Sequence, residues 1–355
     1  GKVMGLASYG KYREEFEQIF DEIVDVEVGS YDVSSIQKDE FSLLEEYFGP
    51  RRVYPDELTQ RHKDFAYHLQ LKTEEIVSKL VEHHITETGV QNISLAGGVA
   101  MNCKMNREIK NMDLVNDLFI QPAANDPGIS LGAALEGYRL FTNEIPDIDF
   151  NNVYYGPKYS NEEIETILKS CDLEYEYFED ISSKVADLLA AGEVVGWFQG
   201  RMEFGARALG NRSIIANPAS EEYRDKVNKK VKHRESWRPF APSLLYEARK
   251  EYLMHGDEAP FMILLDSVPE EKQDEIPAVT HVDGTTRPQT VRKTVNKRYY
   301  EMIKEFQNRT GTPVVLNTSF NVAGEPIVES PEQAIADFYT TGLDALAIEN
   351  YLITK

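Results

Sequence analysis

Between Asn92 and Phe141 the sequence runs twice through the same order: a short apolar stretch, a turn, a helical pattern. Ile93 to Leu95 reads as a buried strand, Ala96 to Val99 as a turn of small residues, and Asn102 to Lys110 as a helix. LFIQPAAND (118–126) then reads as strand and loop, and PGISLGAALEGYRLF (127–141) as a helix. Its proline falls in the first turn, where a missing N–H leaves no helical bond unmade. Strand–turn–helix in succession dictates an α/β layer, because a helix laid over a sheet buries the apolar side of both.

The rest of the chain extends that reading. Residues 13–60 are acidic and mixed, and imply surface helices and loops. From Lys63 to Glu87, Phe65, Leu69, Leu71, Ile76, Leu80 and Val81 recur near helical spacing, which predicts a long amphipathic helix stopped at Gly89. NEIPDIDFNNVYYGPKYSN (143–161) has proline, glycine and polar residues without period, so a linker is expected there. Beyond it the pattern predicts helices over 161–170, 182–191, 220–231, 296–309 and 331–341. Strands are expected at 193–198, 213–216, 242–246, 261–268, 313–317 and 345–353. PEEKQDEIPAVT (269–280) reads as an exposed acidic loop.

A chain of 355 residues is long enough for two domains with separate cores. No segment approaches the roughly 18 apolar residues of a membrane helix, and the opening GKVMGLASYG has no signal-peptide pattern. Cys103 and Cys171 are the only cysteines, which rules out a disulfide framework and a cysteine-based zinc site and fits a reducing cytoplasm. The formal net charge of −22 opposes nucleic acid and anionic membranes over the general surface.

Against that acidic background the segment 197–242, WFQGRMEFGARALGNRSIIANPASEEYRDKVNKKVKHRESWRPFAP, carries Arg201, Arg207, Arg212, Lys226, Lys229, Lys230, Lys232, Arg234 and Arg238. These cations are interleaved with apolar residues and with Gly200, Gly205 and Gly210. Guanidinium forks bind phosphate or carboxylate oxygens bidentately, and glycine lets backbone N–H groups come close. The pattern therefore points to a small-anion pocket; the competing reading is a solvated basic face.

Other segments allow two readings each. LAGGVAMN (95–102) puts Gly97 and Gly98 between strand and helix, as a phosphate-binding turn or as close packing. In NDPG (125–128), Asp126 precedes a helix; spacing alone favours a helix cap over a metal ligand. HVDGTTRPQTV (281–291) groups His281, Asp283 and Arg287 around Gly284. LNTSFNVAGEP (316–326) ends a strand in Asn317, Thr318, Ser319 and Asn321, either neutral donors at a ligand crevice or a turn cluster. GLASYGK (5–11) has P-loop glycine and lysine spacing, but Tyr12 stands where a magnesium-binding hydroxyl is needed, and that reading fails. His62, His68, His83 and His84 show no metal-binding spacing.

Seven segments, MGLASYG, SLAGGVAMNCKMN, IQPAANDPGISLGAAL, GWFQGRMEFGARALGNRSI, KHRESWRPFAPS, HVDGTTRPQTV and PVVLNTSFNVAGEPIV, occur in an order and spacing that resemble the NodU/CmcH carbamoyltransferase family. Its members include nodulation, cephamycin and tobramycin O-carbamoyltransferases. The resemblance implies an α/β chain with part of an actin-like (ribonuclease H-like) ATPase domain over 1–150, a linker over 151–160 and a YrdC-like domain over 161–355. It implies an enzyme that takes carbamoyl phosphate and ATP to carbamoyl adenylate and passes the carbamoyl group to an acceptor hydroxyl. The acceptor would be a small molecule such as a sugar or antibiotic. No nucleic acid or membrane partner is implied, and a homodimer is compatible.

Carried over by residue, the resemblance gives Arg207, Lys232, Arg238 and Arg287 the carbamoyl phosphate and nucleotide phosphates, with Asn317, Thr318, Ser319 and Asn321 completing that pocket. Gly97, Gly98 and Asn102 would meet the nucleotide of the actin-like domain. Asp126 matches a ligand to iron or another divalent metal, against the spacing-only reading. Arg201, Arg212 and Arg234 would be supporting cations. Ser8 and Ala206 replace prolines of the family pattern. The family's H-x-x-x-H metal pair lies ahead of MGLASYG, so the chain reads as partial, with an incomplete metal set. Two other functions stay open: a carbamoyl adenylate synthase serving a partner protein, which two cysteines and the domain order disfavour, and an inactive nucleotide-binding regulator.

Overall fold

A computed structural model describes residues 1–33, 40–53, 55–148 and 150–355 of the chain. They form two compact units, Gly1–Gln121 and Pro122–Lys355.

The first unit is organised on one long helix. Its elements are α1 (Lys2–Ala7), α2 (Glu14–Ile23), a hairpin of β1 (Asp25–Glu27) and β2 (Ser30–Asp32), α3 (Glu40–Phe48), α4 (Gln60–Thr88), β3 (Asn92–Leu95), α5 (Cys103–Lys110) and β4 (Asp117–Ile120). The predicted helix over 63–87 is α4, and Gly89 ends it in the left-handed conformation at φ 71°. Phe16 and Phe20 of α2 and Phe65 of α4 surround Phe48, with ring centroids 4.6–5.2 Å from it. β3 and β4 pair in parallel, Asn92 opposite Asp117 and Leu95 opposite Ile120. α5 packs Met105 and Ile109 against Val81 and Ile85 of α4.

The second unit holds the remaining elements. They begin with α6 (Pro127–Thr142), α7 (Asn161–Ser170), β5 (Glu176–Tyr177), α8 (Ile181–Ala190), β6 (Val195–Phe198), β7 (Arg212–Ala216) and α9 (Glu221–Val227). There follow β8 (Ala241–Leu245), α10 (Arg249–Tyr252), β9 (Asp266–Ser267), α11 (Glu270–Gln273), β10 (Thr285–Thr286) and β11 (Gln289–Val291). The chain closes with α12 (Lys297–Thr310), β12 (Val314–Ser319), α13 (Pro331–Thr340), β13 (Ala345–Ile348) and β14 (Tyr351–Thr354). Eight strands form one mixed sheet in the order β11-β8-β12-β7-β6-β13-β14-β5. The α/β expectation is met.

The central strands are buried on both faces, as continuous apolar runs require. One face packs Val195, Trp197, Ile215, Val315 and Ala347 against α8 and α12. The other packs Phe198, Ile214, Leu316 and Leu346 against α7, α9 and α13. Register then sorts the loops. β12 runs antiparallel to β7, with Ser319 opposite Ser213, and antiparallel to β8, with Asn317 opposite Ala241. β11 runs parallel to β8, with Gln289 opposite Ser243. Consequently the loop 199–211, the segment leading into β8, the segment leading into β11 and the turn after Ser319 all leave the sheet at one end.

Several expected elements differ. The strand expected over 261–268 is only Asp266–Ser267, because Met262 turns the chain at φ 54°. The 269–280 stretch is not simply an exposed loop: it contains α11 and buries Ile276, Ala278 and Val279. The strand expected over 345–353 is a hairpin, β13 and β14, turned at Glu349 with φ 48°. The helix expected over 220–231 changes at Asn228 from α into a wider π turn through Lys232.

Candidate active site

The cations of 197–242 do not all share one task. Arg212 is fully buried, at 0% exposure. It lies 3.6 Å over the Phe198 ring and donates to the carbonyls of Gln199 at 2.8 Å, Asn211 at 3.1 Å and Pro157 at 3.2 Å. Lys226 and Lys230 both pair with Asp344 at 2.8 Å. Arg201 is exposed and donates to the Tyr155 carbonyl. These side chains hold the fold.

Lys232, Arg234, Arg238 and Arg287 form a second group. The π turn of 228–232 and the left-handed His233 (φ 44°) swing the chain so that Lys232 turns inward. Lys232 is 5% exposed, and its Nζ donates to the Ser319 carbonyl at 2.5 Å, the Asn321 carbonyl at 2.9 Å and Asn321 Oδ1 at 2.7 Å. Burial, then Arg234, pushes its pKa down to about 7, with Arg238 adding and Asp337 opposing. Arg234 stacks 4.1 Å over Phe240 and donates to the Pro239 carbonyl. Burial, then Arg238 and Arg287, brings its pKa down to about 9. Glu235 is a partner of Arg238, at 3.6 Å. Cations crowded until they destabilise one another's charge are stabilised by an anion.

Arg207 reaches the same end of the sheet on the 199–211 loop. That loop is held from inside. Asn317 is 1% exposed and donates to the Ala208 carbonyl at 3.2 Å and to Ser243 Oγ at 2.9 Å. Gln289 Nε2 and Tyr154 Oη both donate to the Leu209 carbonyl, at 2.8 and 2.9 Å. Gln199, Asn211 and Asn296 exchange amide bonds beneath it. Asn317 thus lies under the loop, whereas Thr318 and Ser319 are partly exposed at the strand end. Asn321 bridges, its Oδ1 accepting from Lys232 and from Ser319 Oγ at 2.6 Å while its Nδ2 donates to Glu325. Arg287 directly precedes Pro288 and β11 and is half-buried.

The expected nucleotide residues of the first unit are described by themselves. Gly97 has φ 100°, and a Cβ at Gly97 or Gly98 would meet nothing within 4 Å, so this turn offers open backbone. Asn102 caps α5 through the Met105 N–H and exchanges two amide bonds with Gln70, at 3.0 and 3.2 Å. Asp126, in the second unit, stands at the N-cap position of α6 but makes no side-chain cap bond, which corrects the cap reading. It is exposed, and among the described residues no three His, Cys, Asp or Glu side chains gather as a metal site needs. Asp126 by itself supplies a single carboxylate of the incomplete set expected from the resemblance, and no step is assigned through a metal.

Sequence reasoning missed Glu203, Gln289 and Asn296 beneath the loop. A carboxylate or amide isolated in a loop has no periodicity; only the backbone path shows what it binds.

Family models for the carbamoyltransferase N-terminus and C-terminus match residues 1–135 and 186–355. Across its whole length the chain is 43% identical to nodulation protein NolNO of Sinorhizobium fredii and 44% identical to nodulation protein NolO of Bradyrhizobium diazoefficiens. It spans 52% and 65% of those longer proteins. Over 66% of its length it is 36% identical to 3'-hydroxymethylcephem-O-carbamoyltransferase of Streptomyces clavuligerus, covering 43% of that enzyme. A solved HypF from T. kodakarensis aligns at 17% identity and TM-score 0.34 over 50% of this chain and 21% of that one, too loosely to transfer any role. Matched toward both ends by the two models of one family, the chain belongs to the carbamoyltransferases.

Proposed function

We propose that this chain is the carbamoyl-activating part of an ATP-dependent O-carbamoyltransferase. The observation that carries the reading is the gathering of Lys232, Arg234, Arg238 and Arg287 at one sheet end, from which the 199–211 loop with Arg207 also leaves, in a carbamoyltransferase of net charge −22. Carbamate is a poor electrophile: carbamoyl phosphate and water give carbamate and inorganic phosphate, and attack of a carbamate oxygen on the α-phosphorus of ATP, with pyrophosphate leaving, joins it to AMP as the leaving group for the later transfer. The phosphates of carbamoyl phosphate and ATP must be brought together against their repulsion. Guanidinium and ammonium groups fixed by a rigid sheet lower that barrier by position and charge, without a nucleophilic side chain.

In this reading Arg207, Arg238 and Arg287 contact phosphate oxygens. Lys232 holds Ser319 and Asn321 at the pocket edge, and Thr318 and Ser319 offer hydroxyls. Gly97 and Gly98 offer backbone N–H groups to the nucleotide of the actin-like domain. The division at 1–150, 151–160 and 161–355 belongs to the same proposal. The likeness to the 3'-hydroxymethylcephem-O-carbamoyltransferase supports a small-molecule hydroxyl as acceptor. No described helix is long and apolar enough to cross a membrane.

The test supplies carbamoyl phosphate and α-labelled ATP to the protein and follows carbamoyl adenylate and pyrophosphate. Both are expected, and Arg207→Ala is expected to abolish them while leaving the melting curve intact. Absence of both products in the full-length protein, or undiminished activity in Arg207→Ala, overturns the assignment.

A further inference from the structure

Glu203 lies four residues before Arg207 and is 4% exposed, a carboxylate placed where burial is costly. Its Oε1 accepts three backbone N–H bonds, from Leu209 at 2.6 Å, Asn211 at 2.9 Å and Arg212 at 3.3 Å. Its Oε2 is buried and has no partner among the described residues. Burial raises its pKa, and the N–H groups of Asn211 and Leu209 hold it down. Stability alone is a weak reason to keep such a group, since a buried carboxylate rarely repays its desolvation.

Its position suggests another reason. The bond from Glu203 to the Leu209 N–H closes a ring over Phe204, Gly205, Ala206, Arg207 and Ala208. Gly205, at φ 117°, makes the bend within that ring. The Ala208 and Leu209 carbonyls are fixed from the sheet by Asn317 and Gln289, so Glu203 supplies the acceptor on the N–H side of the same residues. The ring has one long cation in it, Arg207.

We propose that Glu203 is a positioning residue: its carboxylate gathers the N–H groups of the 209–212 turn and so fixes the loop from which Arg207 reaches the anion. This rests on the reading that Arg207 contacts the phosphate of the substrate. It assigns to Glu203 an effect on anion affinity transmitted through Arg207.

The test measures binding of inorganic phosphate and of carbamoyl phosphate to the full chain by calorimetry, for the wild type, Glu203→Gln, Arg207→Ala and the double variant. Glutamine keeps an acceptor oxygen within reach of the three N–H groups but lacks the charge that strengthens those bonds. Glu203→Gln is expected to weaken both ligands about tenfold and Arg207→Ala about thirtyfold or more, with the double variant no weaker than Arg207→Ala alone. A purely structural role predicts that the two single effects multiply, and that result overturns the proposal. So does unchanged binding by Glu203→Gln beside a weakened Arg207→Ala, which leaves the anion site standing. Unchanged binding by Arg207→Ala removes the phosphate contact itself, and the positioning role with it. Should Glu203→Gln fail to fold, Glu203→Asp, whose carboxylate keeps its charge but is withdrawn by one methylene, is read against the same outcomes.

Discussion

Replacing Gly210 with alanine tests whether the loop that carries Arg207 is as tightly built as its geometry states. Gly210 sits at φ 97°, a conformation that costs an L-residue about 1–2 kcal/mol. A Cβ there would fall 2.5 Å from Tyr299 Cε1 and 2.6 Å from its Cγ. Tyr299 is fully buried and packs beside Trp197, so the ring has no free direction in which to move. Forcing an atom into such a site costs about a further 1–3 kcal/mol. The sum is about 2–5 kcal/mol, or a fall in Tm of about 10 °C for a unit of this size. Gly311→Ala is the control: φ is 84°, but the new Cβ meets nothing within 4 Å, so only the backbone cost applies. Differential scanning calorimetry reads both. Gly210 also accepts bonds at its carbonyl from Trp197 Nε1 at 2.8 Å and Gln199 Nε2 at 2.9 Å, so phosphate affinity should fall with stability. A Tm for Gly210→Ala within about 2 °C of Gly311→Ala would refute the steric argument.

Asn102→Ala removes the cap of α5 and the amide exchange with Gln70, and should lower the stability of the first unit by about 1–2 kcal/mol in urea unfolding; no change in midpoint would show that the cap is idle. Arg212→Met keeps bulk but leaves buried carbonyls without donors, and should cost about 3 kcal/mol or more; a variant as stable as the wild type in urea would show that those bonds contribute nothing. Sulfate, whose own charge is constant near neutrality, should bind more weakly as pH rises through about 7, because Lys232 then loses its proton. The same depressed value means that the unfolded chain holds more protons from about 7 up to 10.5, so stability gains with pH across that window. Titration of Lys232→Met should show neither step; a sulfate profile unchanged by that substitution would exclude Lys232 as its source.

Much of the fold was legible because periodicity and burial agree. α4 shows its helical spacing and its glycine stop, and the central strands are apolar runs because both of their faces are covered. The failures are local. Phe261 to Leu265 is apolar without being a strand, since burial under a turn selects the same residues as burial in a sheet. β11 contains buried Gln289 and Thr290, whose side chains bond to Ser243 and to the backbone of Ala259, so its polar composition hides a strand. The turn at Glu349 carries no glycine. At the site the cations were legible by type, because they crowd between Arg201 and Arg238 in a chain whose carboxylates otherwise outnumber them. What divides them was not: Arg212 and Arg234 look alike in sequence and both stack on a phenylalanine ring and bond carbonyls, and only the charges around them differ, Glu203 and Glu349 about Arg212 but Arg238 and Arg287 about Arg234. Glu203 and Gln289 gave no signal, because they bond backbone groups whose positions depend on the finished sheet.

That dependence couples recognition to cooperativity. The bonds Lys232–Asn321, Asn317–Ala208 and Gln289–Leu209 join residues separated by 89, 109 and 80 positions. A partly folded chain with only some strands paired holds an Arg207 loop without its support and a Lys232 without its acceptors. On the proposed anion site such a species would have little affinity for anions, so phosphate ligands would act on the all-or-none equilibrium of the whole unit. Their stabilising effect then grows with the logarithm of concentration above Kd, and occupancy of the pocket becomes a measure of how completely the chain has folded.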